Sequence, residues 1–221
     1  MKKIFTTLTL FIAMTICLNA NAQNQFANRM SFGARIGGNL SNFYGKNVDT
    51  KMQFGFNAAL VAEYSINKFF ALAIEPGYSL ERIEMLDESF NSTVIKGKMD
   101  INYNLNFINI PVLLKFYPIG ELYIQVGPKL GINIYSSQTI KTNINIGGMQ
   151  LIDDNSTRTE EMDANEDYNL FVLGADFGIG YAFENLFIDF RYNLGLTPFN
   201  YHTQIYNIKN NNLSLNIGWM F

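Results

Sequence analysis

The chain has 221 residues and a formal net charge of −3, with 16% charged residues against 48% hydrophobic and 14% aromatic ones. Without Lys2 and Lys3 it is more acidic still and has no basic stripe to hold phosphate, which argues against a nucleic-acid partner. The sole cysteine, Cys17, lies near the N-terminus in a segment expected to be removed, so no disulfide, thiolate metal site or thiol nucleophile is expected in the mature chain.

Lys2 and Lys3 form a basic start, Ile4 to Leu18 an apolar run, and Ala20-Asn21-Ala22 a small-residue cleavage site. This is the pattern of a secretory signal peptide over residues 1–22, leaving residues 23–221 as one domain. Ile16, before Cys17, is not the small residue that a lipid-attachment site wants. No later apolar run reaches the roughly 18–20 residues that a membrane helix needs. A mature chain that spans a membrane must therefore cross it with strands, closed so that no backbone edge meets lipid.

Period-2 alternation runs along almost the whole mature chain and divides it into eight segments. Phe32, Ala34, Ile36 and Leu40 oppose Gly33, Arg35, Gly37 and Asn39 in the first. The second sets Phe54, Phe56, Ala58, Leu60, Ala62, Tyr64 and Ile66 against Gln53, Gly55, Asn57, Glu63 and Ser65. In the third, Leu72, Ile74, Pro76, Tyr78 and Leu80 oppose Ala71, Ala73, Glu75, Gly77, Ser79 and Glu81. The fourth, Ile101 to Tyr117, changes phase: its apolar residues are the odd-numbered Ile101, Tyr103, Leu105 and Phe107, then the even-numbered Ile110, Val112, Leu114 and Phe116. A bulge near Ile108 and Asn109 is expected to absorb the slip. Leu122, Ile124, Val126, Leu130, Ile132 and Ile134 oppose Tyr123, Gln125, Gly127, Lys129, Gly131 and Asn133 in the fifth. The sixth and seventh carry Phe171 to Phe183 and Leu186 to Leu196 on one face, with Asp176, Asp189 and Arg191 on the other. In the eighth, Leu213, Leu215, Ile217, Trp219 and Phe221 oppose Asn212, Ser214, Asn216, Gly218 and Met220.

The joins alternate too. Asn67-Lys68, Pro118-Ile119-Gly120 and Glu184-Asn185 are tight turns, whereas Phe43–Lys51, Arg82–Asp100, Ser136–Asp167 and Thr197–Asn211 are long. Short turns on one side, long loops on the other and both termini on the short-turn side predict an all-β fold. That fold is an eight-stranded antiparallel up-and-down transmembrane β-barrel with short periplasmic turns and long extracellular loops. Phe32, Tyr64, Phe69, Phe116, Phe183, Trp219 and Phe221 are expected to form a membrane girdle at the short-turn end, with Phe54, Tyr78, Tyr103, Phe171 and Phe199 nearer the other. Parity places Arg35, Glu63, Glu75, Glu81, Lys115, Lys129, Asp176, Asp189 and Arg191 on the lumen face. Eight strands enclose a space that side chains fill, and buried charges of both signs must pair there, so a closed lumen is expected in place of a diffusion pore. The in-strand glycines Gly178, Gly180, Gly127 and Gly131 give neighbours room in a narrow interior.

Three stretches carry a family resemblance: Phe32-Gly33-Ala34-Arg35-Ile36-Gly37-Gly38-Asn39-Leu40-Ser41-Asn42-Phe43, Ile108-Asn109-Ile110-Pro111-Val112-Leu113-Leu114-Lys115-Phe116-Tyr117, and Asp189-Phe190-Arg191-Tyr192-Asn193-Leu194-Gly195-Leu196. They resemble the PorT-type outer-membrane β-barrel proteins of Bacteroidetes, a likeness that runs the length of the mature chain. The resemblance implies an outer-membrane barrel and, for some relatives, a part in protein secretion; it supplies no catalytic residues.

No enzyme is expected. The only histidine, His202, sits in a long loop with neither a serine nor an acid at strand spacing, so it lacks the partners of an acyl-transfer site. Asp153, Asp154, Glu160, Glu161, Asp163, Glu166 and Asp167 crowd one loop but lack the order of a calcium loop, and read as a solvated acidic face. No cofactor or metal is expected. The expected partners are outer-membrane lipid, the barrel-insertion machinery engaging the C-terminal strand that ends in Phe221, and an envelope or secretion protein.

Overall fold

The computed structural model describes residues 29–45, 50–86, 90–91, 95–146, 149–151, 158–162, 169–198 and 208–221. The expected signal peptide, Phe199, His202, Asp153, Asp154, Asp163, Glu166 and Asp167 lie outside the described residues. The strands are β1 (Arg29–Tyr44), β2 (Thr50–Ser65), β3 (Phe70–Ile74), β4 (Gly77–Leu86), β5 (Phe90–Asn91), β6 (Ile95–Ile119), β7 (Leu122–Ile146), β8 (Met149–Leu151), β9 (Arg158–Met162), β10 (Phe171–Phe183), β11 (Leu186–Gly195) and β12 (Lys209–Met220).

All pairings are antiparallel, and they close. β1 pairs β2 on one side and β12 on the other, from Gly33↔Met220 to Tyr44↔Lys209. The circuit runs on through β3 with β4, then β6, β7, β10 and β11. It contains eight wall strands, because β3 and β4 are two halves of one strand interrupted at Glu75 and Pro76. The interruption keeps its hydrogen bonds: Glu75 N donates to Pro111 O at 3.1 Å, and Leu60 N donates to Pro76 O at 3.0 Å. The short β5, β8 and β9 lie off the ring and pair with the far ends of β6 and β7.

The turns at the short-turn end follow their sequence. Asn67 Oδ1 accepts from the backbone N–H groups of Phe69 and Phe70 at 2.8 and 2.9 Å, fixing the β2–β3 reversal with a side chain that mimics a backbone turn. In the β6–β7 turn, Gly120 takes a positive φ of 55°, which an L side chain adopts at a cost.

Alternation sorts the two faces by polarity. Phe54, Leu215 and Ile36 point outward and are exposed, while Asn39, Gln125 and Asn216 point inward and are buried. The usual soluble arrangement is inverted, because the apolar side is the one that faces away from the protein.

Three expectations need correction. β6 keeps one phase from Leu105 to Lys115, with Leu105, Phe107, Leu113 and Lys115 all buried on its inward face, so no bulge lies at Ile108 and Asn109. The irregularity in this stretch is on β7: Phe107 pairs with Asn133 and Asn106 with Tyr135, which leaves Ile134 as the extra residue. Leu105 and Phe107 are apolar because they join Phe43 and Ile83 in a hydrophobic cluster inside the barrel, and a period-2 pattern cannot tell an apolar layer of the lumen from a lipid face. Tyr103 belongs with them, edge-on to Phe43 at 5.5 Å, and is not part of an outer girdle. The loops are also shorter than expected. β1 runs to Tyr44, β4 to Leu86, β6 begins at Ile95 and β7 continues to Ile146, since ladder hydrogen bonds hold strands together after the apolar alternation has ended.

The phase of β6 can be read by spin labels on single cysteines, the one natural cysteine being Cys17. Labels at positions 105, 107 and 113 are expected to be shielded from membrane-dissolved oxygen, and labels at 114 and 116 to be open to it. Oxygen access at 105 and 107 equal to that at 114 would restore the bulge at 108 and 109.

Candidate functional site in the barrel lumen

The inward face is built in layers along the barrel. At the short-turn end lies a vestibule of about 680 Å³. Small residues on the inward faces of the wall strands, Ser31, Ser65, Ala71 and Ala182, leave this space open. Its floor is a charged and aromatic group. Lys115 Nζ donates to Glu63 Oε2 at 2.7 Å, and the Tyr117 hydroxyl donates to Glu63 Oε1 at 3.0 Å. The same ammonium lies 4.8 Å from the ring centre of Tyr123 and 5.5 Å from that of Phe187, within the range of cation–π attraction. Gly180 faces Tyr123 so closely that a Cβ there would collide with the ring.

The next layer closes the bore. Glu75 is fully buried and receives Arg35 Nε at 2.7 Å and Arg191 Nη1 at 2.6 Å. Arg191 also clasps Asp189 through Nε and Nη2 at 2.7 and 2.6 Å. Asn216 joins both ends, its amide donating to Asp189 at 2.7 Å while its oxygen accepts from Arg35 Nη1 at 3.0 Å; Asn57 accepts from the same nitrogen. A carboxylate shared by two guanidinium groups, with the second carboxylate beside it, leaves no charge in this layer without a counter-charge.

Above it the acids are met mainly by amides. Glu81 accepts from Asn212 at 3.1 Å, from Ser79 at 3.3 Å and from Asn210. Asp176 accepts from Asn193 at 2.6 Å. Lys129 makes no ion pair among the described residues, but it lines a cavity of about 50 Å³ together with Glu81, Asp176 and Asn109. A space of that size holds water among polar partners. The apolar cluster of Phe43, Ile83, Leu105 and Phe107 then caps the stack at the long-loop end.

The nine ionisable residues assigned to the lumen by parity all point inward, but they divide between layers. Lys115 with Glu63, and Arg35, Arg191, Glu75 and Asp189, come together as ion pairs; Glu81, Asp176 and Lys129 do not. Of the aromatics assigned to the short-turn end, Tyr64, Phe116, Phe183 and Trp219 are exposed, Phe69 and Phe221 are exposed at the mouth of the vestibule, and Phe32 is half-buried. Of the other group, Phe54 and Phe171 are exposed, while Tyr78 is half-buried against Phe56 at 5.8 Å. What the reading of charges missed is the set of neutral partners: Asn57, Asn193, Asn212, Asn216, Tyr117 and Tyr123. The same parity pointed to them, since each falls on the inward phase of its strand. Glu160 and Glu161 fall in β9; among the described residues no group of three or more His, Cys, Asp or Glu side chains converges on a metal position.

The layers predict unequal costs. Replacing Glu75 with Gln strips the counter-charge from two buried guanidinium groups and is expected to cost about 3–5 kcal/mol. Lys129→Gln breaks no pair and is expected to cost under about 1 kcal/mol. Equilibrium urea unfolding in phospholipid vesicles measures both, and equal costs would remove the assignment of Glu75 as the central counter-ion.

Solved structures to which the chain is similar include Neisserial surface protein A (NspA), which is 16% identical with a TM-score of 0.43 over 87% of this chain and 99% of its own. Ail, the attachment invasion locus protein of Yersinia pestis, is 16% identical with a TM-score of 0.40 over 88% and 99%. The outer membrane protein OprG from Pseudomonas aeruginosa is 11% identical with a TM-score of 0.43 over 90% and 99%. No curated protein matches the chain. Residues 21–201 match the outer membrane protein β-barrel domain, and with an eight-stranded ring, an apolar outer face and a polar interior the chain belongs to that family of outer-membrane barrels.

Proposed function

We propose that the protein is a non-enzymatic integral outer-membrane barrel whose lumen is closed by its own side chains and whose role is structural, presenting the long-loop end outward. The observation that carries this reading is the clamp of Arg35 and Arg191 on Glu75, which fills the bore at mid-height with paired charges. A pore would need that space for water, and an enzyme would need a reactive group exposed to substrate. The 25-residue strands β6 and β7 support the outward role, because they carry the sheet farther than the other wall strands do. Lipid contacts fall to the exposed aromatics and aliphatics of the outer face, and export to a leader over residues 1–22.

A second reading follows from the PorT-type resemblance: an accessory subunit of an outer-membrane secretion or envelope assembly. The open vestibule on the short-turn side favours it, since it offers the periplasm a shaped surface. Co-purification from membranes with and without crosslinker separates the two, a stoichiometric envelope partner supporting the second and a lone barrel the first.

Two measurements test the shared premise. In planar bilayers the purified protein is expected to give no steady conductance, whereas a wide, stable current would overturn the closed lumen. Deleting Phe221 is expected to lower the yield of heat-modifiable protein in the outer membrane, because the terminal aromatic and the alternation of β12 are the features the insertion machinery would engage. Normal yield of the truncated chain would sink that role for Phe221.

A further inference from the structure

The vestibule is a dead end. It opens at the short-turn mouth and stops at Lys115, Tyr123 and Phe187, with the arginine clamp lying behind them. Its size falls within the roughly 300–1,000 Å³ of small-molecule sites, and it combines aromatic walls with a few polar groups, as such sites do.

The charges at its mouth are sorted by side. Arg29 opens β1 opposite Ser65 of β2, and Lys68 sits in the adjacent β2–β3 turn. Glu121 lies in the β6–β7 turn and Glu184 in the β10–β11 turn, joined through the backbone bond from Ala182 to Glu121. In a ring of eight strands, β1–β3 and β7–β11 face each other, so the mouth carries cations on one wall and carboxylates on the other. None of the four makes an ion pair among the described residues; the Glu121 carboxylate accepts from the Tyr181 hydroxyl at 3.3 Å, and Lys68 lies over Phe69 at 4.8 Å.

We propose that this vestibule is a binding site, entered from the periplasm, for a short zwitterionic peptide with an apolar side chain. The peptide carboxylate meets Arg29 and Lys68, its ammonium meets Glu121 and Glu184, and its side chain points down the vestibule toward Tyr117. A wholly anionic ligand would be repelled by one wall and a cationic one by the other, whereas an uncharged amphiphile would leave both walls unused. The site holds whether the long-loop end presents outward or the barrel serves a larger assembly.

Isothermal titration of the barrel in lipid nanodiscs, which leave both mouths accessible, tests this with the tripeptide Ala-Phe-Ala. Saturable binding is expected for the free peptide, and blocking both termini by acetylation and amidation is expected to weaken it about tenfold. The pair Arg29→Ala with Lys68→Ala, and the pair Glu121→Gln with Glu184→Gln, are each expected to weaken it about three- to tenfold, as loss of exposed ion pairs does. These residues stand at the rim, so heat-modifiability reports whether each variant still folds. Ala182→Trp, which fills the vestibule, is expected to abolish binding. Equal affinity for the free and blocked peptides, binding undiminished by the rim variants, or no binding of the free peptide to the folded protein would each overturn the proposal.

Discussion

Closure of the sheet is the constraint on which everything else rests. Pairing β1 with β12 gives every wall strand two neighbours, so the backbone meets its hydrogen-bonding needs without water and the outer surface is left to side chains alone. Once the ring is closed at eight strands, its interior is too narrow to stay empty and too enclosed to leave charges unpaired. The apolar exterior and the layered interior are therefore two results of the same closure. Leu215 and Asn216, adjacent on β12, show it most simply: one faces outward and the other ties Arg35 to Asp189.

Much of this was legible because a strand has a period of two. Parity on β1, β3, β11 and β12 placed Arg35, Glu75, Asp189, Arg191 and Asn216 on one side before any contact was known. It marked Asp189 and Arg191, two apart on β11, as neighbours, and they do pair, but it could not say which guanidinium groups meet Glu75, since those pairs join strands far apart in sequence and depend on ring order and stagger. Glu75 and Arg191 are 116 residues apart. Parity also failed where the lumen turns apolar. Leu105 and Phe107 look like lipid-facing residues by composition, and only the pairing of β6 with β7 reveals that the extra residue is Ile134. The strand ends beyond the apolar band were equally hidden, because polar residues that alternate without a hydrophobic partner resemble loop.

The interior does not treat all its charges alike. At mid-height, arginines meet carboxylates in bidentate or shared geometry, which suits the planar guanidinium. Nearer the long-loop end, Glu81 and Asp176 are satisfied by the neutral amides of Asn193, Asn210 and Asn212, beside a cavity with room for water. Toward the short-turn end, the ammonium of Lys115 is shared between the Glu63 carboxylate and two aromatic faces.

Asn216 gives this arrangement an order in time. It lies on the last strand of the chain, yet its amide bridges Arg35 on the first and Asp189 on the one before. Until β12 docks against β1, the central arginine layer lacks a member and the first and last strands are open edges. The closing step therefore seals the backbone and completes the charge layer at once. An unfinished barrel is penalised twice, in its edges and in its core, so the transition from open sheet to ring is steep and partial closure has little to hold it.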